Sequence, residues 1–135
     1  MNYLADTHIL IWAISDSPRL SEKARKILLS KDNTIYYSFA NVWEIVIKHS
    51  LQKSNITFSS ERFEELCRMA GYLLLETHPK HAFMVETLRH AENAPREHRD
   101  PFDRLLLAQA KSENMLFLTH DELIPYYNES CIVSV

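Results

Sequence analysis

Four carboxylates stand at positions in this chain where a catalytic site could form. Asp6 closes the run NYLAD (2–6), and Asp121 follows Thr119 and His120 after MLFLTH (115–120). Glu44 lies one to two turns into the helix-patterned ANVWEIVIKHS (40–50), and Asp103 falls in the first turn of the helix opened by HRDPFDRLLLAQA (98–110). Like charges gathered on one rim raise one another's pKa and destabilise a fold unless a cation is present. All-oxygen sites with few protein ligands and several waters suit Mg2+ or Mn2+. A carboxylate-bound metal pair with a water nucleophile is the machinery of phosphodiester hydrolysis.

Each acid also has a purely local reading. Asp6 is placed to cap the short helix starting near His8. Glu44 precedes Lys48 by four residues, the favourable order for a helix-surface ion pair. Asp121 is placed to cap a final turn at ELIPYY. In RDPFD, Pro101 suits the first helical position and Asp100 the N-cap, with Asp103 then able to reach back as in a capping box. Only the joint arrangement, with acids at two strand ends and early in two helices, points to a site.

The elements that must position these residues alternate. Strands are expected at 2–6, 33–38, 72–77, 115–120 and 131–135, from apolar, β-branched and aromatic runs. Helices are expected at 8–15, after a cap at Ser21, at 40–50, after a cap at Ser60, at 79–91 and after Asp100. A polar loop fills 92–99. Alternation of this kind implies an α/β fold with a parallel sheet flanked by helices, and ligands then bind at the carboxyl ends of the strands.

Composition narrows the classes further. At 135 residues the chain is most simply one domain, and 46% hydrophobic content is enough for a real core. The formal net charge of −3 advertises no global affinity for polyanions. Cys67 and Cys131 lie outside any C-x-x-C spacing and are expected as reduced, mostly buried thiols. Gly71 is the only glycine and stands at a helix C-terminus, so no Gly-rich phosphate loop exists and P-loop and Rossmann readings fall away. The apolar run Ile9–Ile14 is too short to span a bilayer, and a cytoplasmic protein is expected.

The stretches LADTHILIWAI, SPRLSEKARKIL, YSFANVWEIVIK, HRDPFDRLLLAQA and LFLTHDELIPYY together resemble a PIN-domain protein of the VapC type, the toxin of a bacterial toxin–antitoxin pair. The resemblance covers nearly the whole chain, 1–135. It implies a single PIN domain with a central parallel sheet of five strands and a Mg2+-dependent endoribonuclease, Mn2+ being an alternative ion. By matching position, the family's catalytic and metal-binding acids fall on Asp6, Glu44, Asp103 and Asp121, and its assisting hydroxyls on Thr7, Ser38 and Thr119. It further implies an RNA substrate, a homodimer and a small antitoxin whose tail enters the acidic groove. Two positions depart from the pattern. Asn41 replaces the usual Ser or Thr three residues before the glutamate, where it can hydrogen-bond a carboxylate or water. After IKHS the chain reads LQKSNITF (51–58) in place of a Gly-Lys-Leu turn.

The seven histidines show no H-x-x-x-H or H-E-x-x-H spacing, so surface or capping roles are expected. His8, beside the acids, is a candidate phosphate contact. Trp12 and Trp43 are assigned to core packing. The stretch 89–104 holds Arg89, His90, Arg96, His98, Arg99 and Arg104; Arg96, Arg99 and Arg104 are candidates for offsetting the acids toward an RNA backbone. Two other readings stand against the nuclease. An aspartate-dependent phosphatase wants a second acid two residues after its first, where this chain has His8. A non-catalytic PIN-like binding module need not take up magnesium.

Overall fold

The five apolar runs become β1 (Asn2–Ala5), β2 (Thr34–Ser38), β3 (Leu73–Leu75), β4 (Leu116–Thr119) and β5 (Ile132–Ser134) in a computed structural model that describes residues 1–53 and 55–135. Between them lie α1 (Thr7–Ile14), α2 (Glu22–Leu29), α3 (Phe39–Ser50), α4 (Ser60–Met69), α5 (Pro79–Val85) and α6 (Pro101–Ser112), with one 3-10 turn at Ile124–Tyr127. Among the described residues no helix is long and apolar enough to cross a membrane.

All four strand pairings are parallel, in the order β3-β2-β1-β4-β5. The chain therefore builds outward from β1 to β3, then returns to the other side of β1 for β4 and β5. The gap between the carboxyl ends of β1 and β4 is the topological switch point, where crossovers leave in opposite directions and open a crevice. Register sets its walls. Ala5 pairs with Leu118, and the Asp6 amide donates to the Leu118 carbonyl at 2.9 Å.

Side chains of β1 alternate between two cores, as the strand period requires. Tyr3 and Ala5 pack with Ile9, Leu10, Ile45, Phe63 and Cys67 on the side of α1, α2 and α4. Leu4 packs with Leu106, Leu107, Phe117 and Tyr127 on the side of α5 and α6. The central strands thus read as apolar throughout because both faces are covered. The edge strand β3 is not covered so well, and Leu73 and Leu74 are exposed.

Helix ends follow their side-chain chemistry. Asp6, Ser21, Ser38 and Asp100 cap α1, α2, α3 and α6. The cap of α4 is Ser59, whose hydroxyl oxygen accepts from the Arg62 amide, one residue earlier than the expected Ser60. Gly71 ends that helix at φ +88°, with the Gly71 and Tyr72 amides donating to the Arg68 and Cys67 carbonyls. Such a left-handed C′ position is the one a glycine serves best. The helix expected over 79–91 stops at Val85. The Thr87 hydroxyl donates to the Met84 carbonyl and the Arg89 guanidinium to the Glu86 carbonyl, so side chains take up the acceptors that a continuing helix would use. Cys67 is buried and Cys131 half-buried, both as free thiols. In the loop 51–58, residue 54 lies outside the described residues.

Candidate metal centre

The site is a groove of about 310 Å³ at the switch point, lined by Asp6, Glu44, Asp100, Asp103 and Asp121 among others. The four acids singled out from the sequence therefore share one concavity, and Asp100 joins them.

Most of these acids also hold the fold, as their local readings suggest. One oxygen of Asp6 accepts from the Ile9 amide at 3.0 Å to cap α1, and the other accepts from the Thr119 hydroxyl. Glu44 is 2% exposed, with one oxygen accepting from the Thr7 hydroxyl and the other from Lys48 Nζ at 2.6 Å. Asp121 Oδ1 accepts from the Leu123 and Ile124 amides at 2.7 and 3.2 Å, pinning the turn that follows β4. The Asp100 carboxylate accepts from the Phe102 and Asp103 amides at 2.9 and 3.1 Å. Structural anchoring and site formation are here the same bonds.

Asp103 differs. It does not reach back to its cap. Its Oδ2 instead meets His98 Nε2 at 3.2 Å, and His98 Nδ1 meets the Tyr127 hydroxyl at 2.6 Å. Burial holds the Asp103 carboxyl up at about 6, with the charges of Asp100, Asp6 and Glu44 pushing the same way and the His98 hydrogen bond opposing. Burial likewise raises Asp6, against the hydrogen bonds from Thr119 and Ile9. Two carboxyls whose ionisation is opposed chiefly by burial, in one groove, mark a candidate functional site.

Among the described residues, the ligand atoms of His98, Asp103 and Asp121 lie within 4.8 Å of one another and form a group able to hold a metal ion. Asp6 and Glu44 line the same groove without joining that tight trio. The donor set fits a hard divalent cation, with one change from the all-carboxylate expectation: it contains a histidine. Sequence reasoning gave His98 a surface or capping role. It is 7% exposed and stands behind the groove wall on Asp103, and no motif spacing announces it because its other nitrogen meets Tyr127 from a distant turn. Nor is His81 a surface residue: it is buried, completing the start of α5 and meeting Glu113.

The supporting residues divide into two nets, one through Asn41, Thr7 and Ser38, whose amide donates to Asn41 Oδ1 at 2.6 Å, and one through Thr119. Asn41 does not touch a carboxylate: its amide nitrogen donates to the Thr7 hydroxyl at 3.0 Å, and Thr7 in turn donates to Glu44. The Ser38 hydroxyl turns away from the groove and donates to Gln109 on α6. Thr119 stands in the groove wall, donating to Asp6 and accepting from the Asp121 amide at 3.1 Å.

Positive charge reaches the groove from other places than 89–104. Arg99 is exposed and paired with Glu97 at 2.7 Å. Arg96 lies exposed in a separate shallow pocket with His90 and Glu92. Arg104 sits beside Tyr127, whose hydroxyl is raised by burial with Arg104 pulling against it. The cations that line the groove are Arg19 and Lys48, with His8 and His120. Arg19 lies within SPRLSEKARKIL, where the sequence gives it no role of its own, and Lys48 reads in sequence only as the partner of Glu44. Trp12 is half-buried, packing against the core beside Ile9 and Leu10 while also lining the groove 5.3 Å in ring separation from His120, whereas Trp43 is 47% exposed and is not a core residue.

The Asp100 cap gives a direct test of these roles. Asp100→Ala is expected to cost about 1 kcal/mol of stability, and Asp100→Ser, a good cap, to restore it. Thermal or denaturant unfolding of both variants measures this; equal losses would show that the two amide hydrogen bonds carry no weight.

The PIN domain family model matches residues 3–128 of the chain. No curated protein matches it in sequence. Among solved structures it is similar to VapBC2 from Rickettsia felis bound to a promoter DNA fragment, at 22% identity and TM-score 0.65, covering 100% of this chain and 98% of that one. It is similar also to FitAcB from Neisseria gonorrhoeae, at 18% identity and TM-score 0.62, covering 98% and 96% of the two chains. VapBC-1 from nontypeable Haemophilus influenzae gives 15% identity and TM-score 0.62, with 99% and 98% covered.

Proposed function

Since the chain belongs to the PIN domain family, we propose that it is a divalent-cation-dependent endoribonuclease, the toxin of a VapBC-type pair, acting as a cytoplasmic homodimer restrained by a small antitoxin. The observation that carries this reading is the meeting of Asp6, Glu44, Asp103 and Asp121 in one groove at the switch point. The similar structures include toxin–antitoxin complexes, which supports the partner assignment.

Asp6, Glu44, Asp103 and Asp121 would hold Mg2+ or Mn2+. When bound, the ion polarises a phosphate oxygen and lowers the pKa of a coordinated water. The chain's own residues prepare for this. Asn41 orients Thr7 and Thr7 orients Glu44, while Thr119 fixes one oxygen of Asp6, so neither acid must reorganise to bind a cation. Arg19 and Lys48 face the groove where an RNA backbone would enter and offset part of the acid charge. An antitoxin arginine suits the same groove, because a guanidinium satisfies paired carboxylates bidentately.

Purified protein incubated with single-stranded RNA tests the reading. Cleavage is expected with Mg2+ or Mn2+, to stop with chelator and to resume on adding the cation back. Cleavage undiminished in excess chelator, or none with either cation, overturns it.

A further inference from the structure

His98 is a buried imidazole with one nitrogen on the Asp103 carboxylate and the other on a hydroxyl. Nε2 lies 3.2 Å from Asp103 Oδ2, and Nδ1 lies 2.6 Å from the Tyr127 hydroxyl, with the two rings edge-on at 89°. The ligand atoms of His98, Asp103 and Asp121 fall within 4.8 Å of one another. A cation with ligands at about 2.1 Å spans roughly 4.2 Å across its sphere, so a small closure of these side chains encloses one ion.

We propose that His98, Asp103 and Asp121 form a mixed nitrogen–oxygen cation position that selects a first-row transition ion over Mg2+. The proposal rests on the metal-nuclease reading above and names the ligand that reading lacks. Carboxylates and waters alone suit Mg2+ and Mn2+ alike, whereas an imidazole ligand favours ions further along the transition series and gives Mg2+ little.

The hydrogen bonds already around His98 serve this role. While Asp103 is ionised and no cation is present, Nε2 carries the proton and donates to Asp103, and the Tyr127 hydroxyl donates to Nδ1. Binding through Nε2 requires its lone pair, so the ring proton moves to Nδ1 and Tyr127 becomes the acceptor. No proton is lost from the ring. A hydroxyl is the one side-chain partner that serves both tautomers without moving, and fixing the distal nitrogen in this way is how ligand histidines are oriented. The 3-10 turn that carries Tyr127 is itself held by Asp121 through the Leu123 and Ile124 amides, so ligand and support are coupled.

Mn2+ serves as the probe. Electron spin echo modulation of the Mn2+-loaded protein is expected to show one directly bound nitrogen, shifting when histidine is labelled with 15N. The signal is expected to persist when the exposed rim residues are replaced together, His8→Gln and His120→Gln, and to vanish in His98→Gln. Calorimetric titration is expected to show Mn2+ preferred over Mg2+ by about ten- to a hundredfold, a preference erased in His98→Gln. Mn2+ binding without nitrogen coupling, or coupling lost in the rim variant, overturns the proposal and leaves the metal-nuclease reading standing. No Mn2+ uptake at all overturns both. The rim variant replaces exposed side chains only, so it decides the assignment even if His98→Gln does not fold.

Discussion

Asp103→Asn is expected to abolish cation-dependent RNA cleavage while making the cation-free protein more stable. A metal-ligating carboxylate contributes several kcal/mol to the transition state, so the loss in rate is expected to reach about a thousandfold. The gain in stability has a separate origin. Asp103 sits amid the charges of Asp100, Asp6 and Glu44 and is largely buried, so its own ionisation is opposed. An amide of the same shape can still accept from His98 Nε2 through its oxygen, and it carries no charge. Unfolding at neutral pH in chelator is expected to show about 1–2 kcal/mol of added stability. Cleavage at the wild-type rate would remove Asp103 from the metal set. Lowered stability would show that its carboxylate is satisfied by the fold alone.

The second large effect is in the pH dependence of the cation-free protein. An unfolded chain releases the Asp103 proton near 3.8, whereas the folded chain holds it to about 6. Between those values the native state binds the extra proton, so stability rises as pH falls from 7 toward 4 and is lost again as pH climbs through 6. The shift of about two units corresponds to at most roughly 3 kcal/mol, with Asp6 adding in the same direction. This is the reverse of the usual acid destabilisation by paired carboxylates. A cation at neutral pH is expected to replace the proton's effect: at a hundred times its dissociation constant it adds about 2.7 kcal/mol, raising Tm by roughly 10 °C. A cation-free protein that only loses stability below pH 7 would contradict the burial that holds the Asp103 and Asp6 carboxyls up.

How much of this was legible beforehand depended on whether a residue's role is local. The five strands and the parallel sheet follow from apolar runs alternating with helical ones, and Asp100 and Gly71 follow from cap chemistry confined to a few residues. The end of α5 at Val85 was hidden, because Thr87 and Arg89 compete for carbonyls through side chains whose direction no periodicity reports. His98 was hidden for a deeper reason. It precedes its helix, fits no ligand spacing, and becomes a site residue only when Tyr127, 29 residues later, closes over it. The basic residues were legible as charges and not as positions: Arg99 of the cationic stretch 89–104 pairs with its neighbour Glu97, while the cations lining the groove are Arg19 and Lys48.

The place of β1 in the middle of the sheet has a consequence for how the protein comes into being. Asp6 and Thr119 are hydrogen-bonded across 113 residues of chain, and β1 gains its second partner only with β4. At ordinary rates of synthesis, on the order of ten seconds separates the two residues on the ribosome. Until then the acids of the early segments have no opposite wall, and a partly made chain is not a partly active nuclease. It is instead an apolar strand with a bare edge, a template for pairing with other chains. Long-range pairing of this kind is slow to nucleate, and one pairing, β1 with β4, both closes the groove and covers the bare edge.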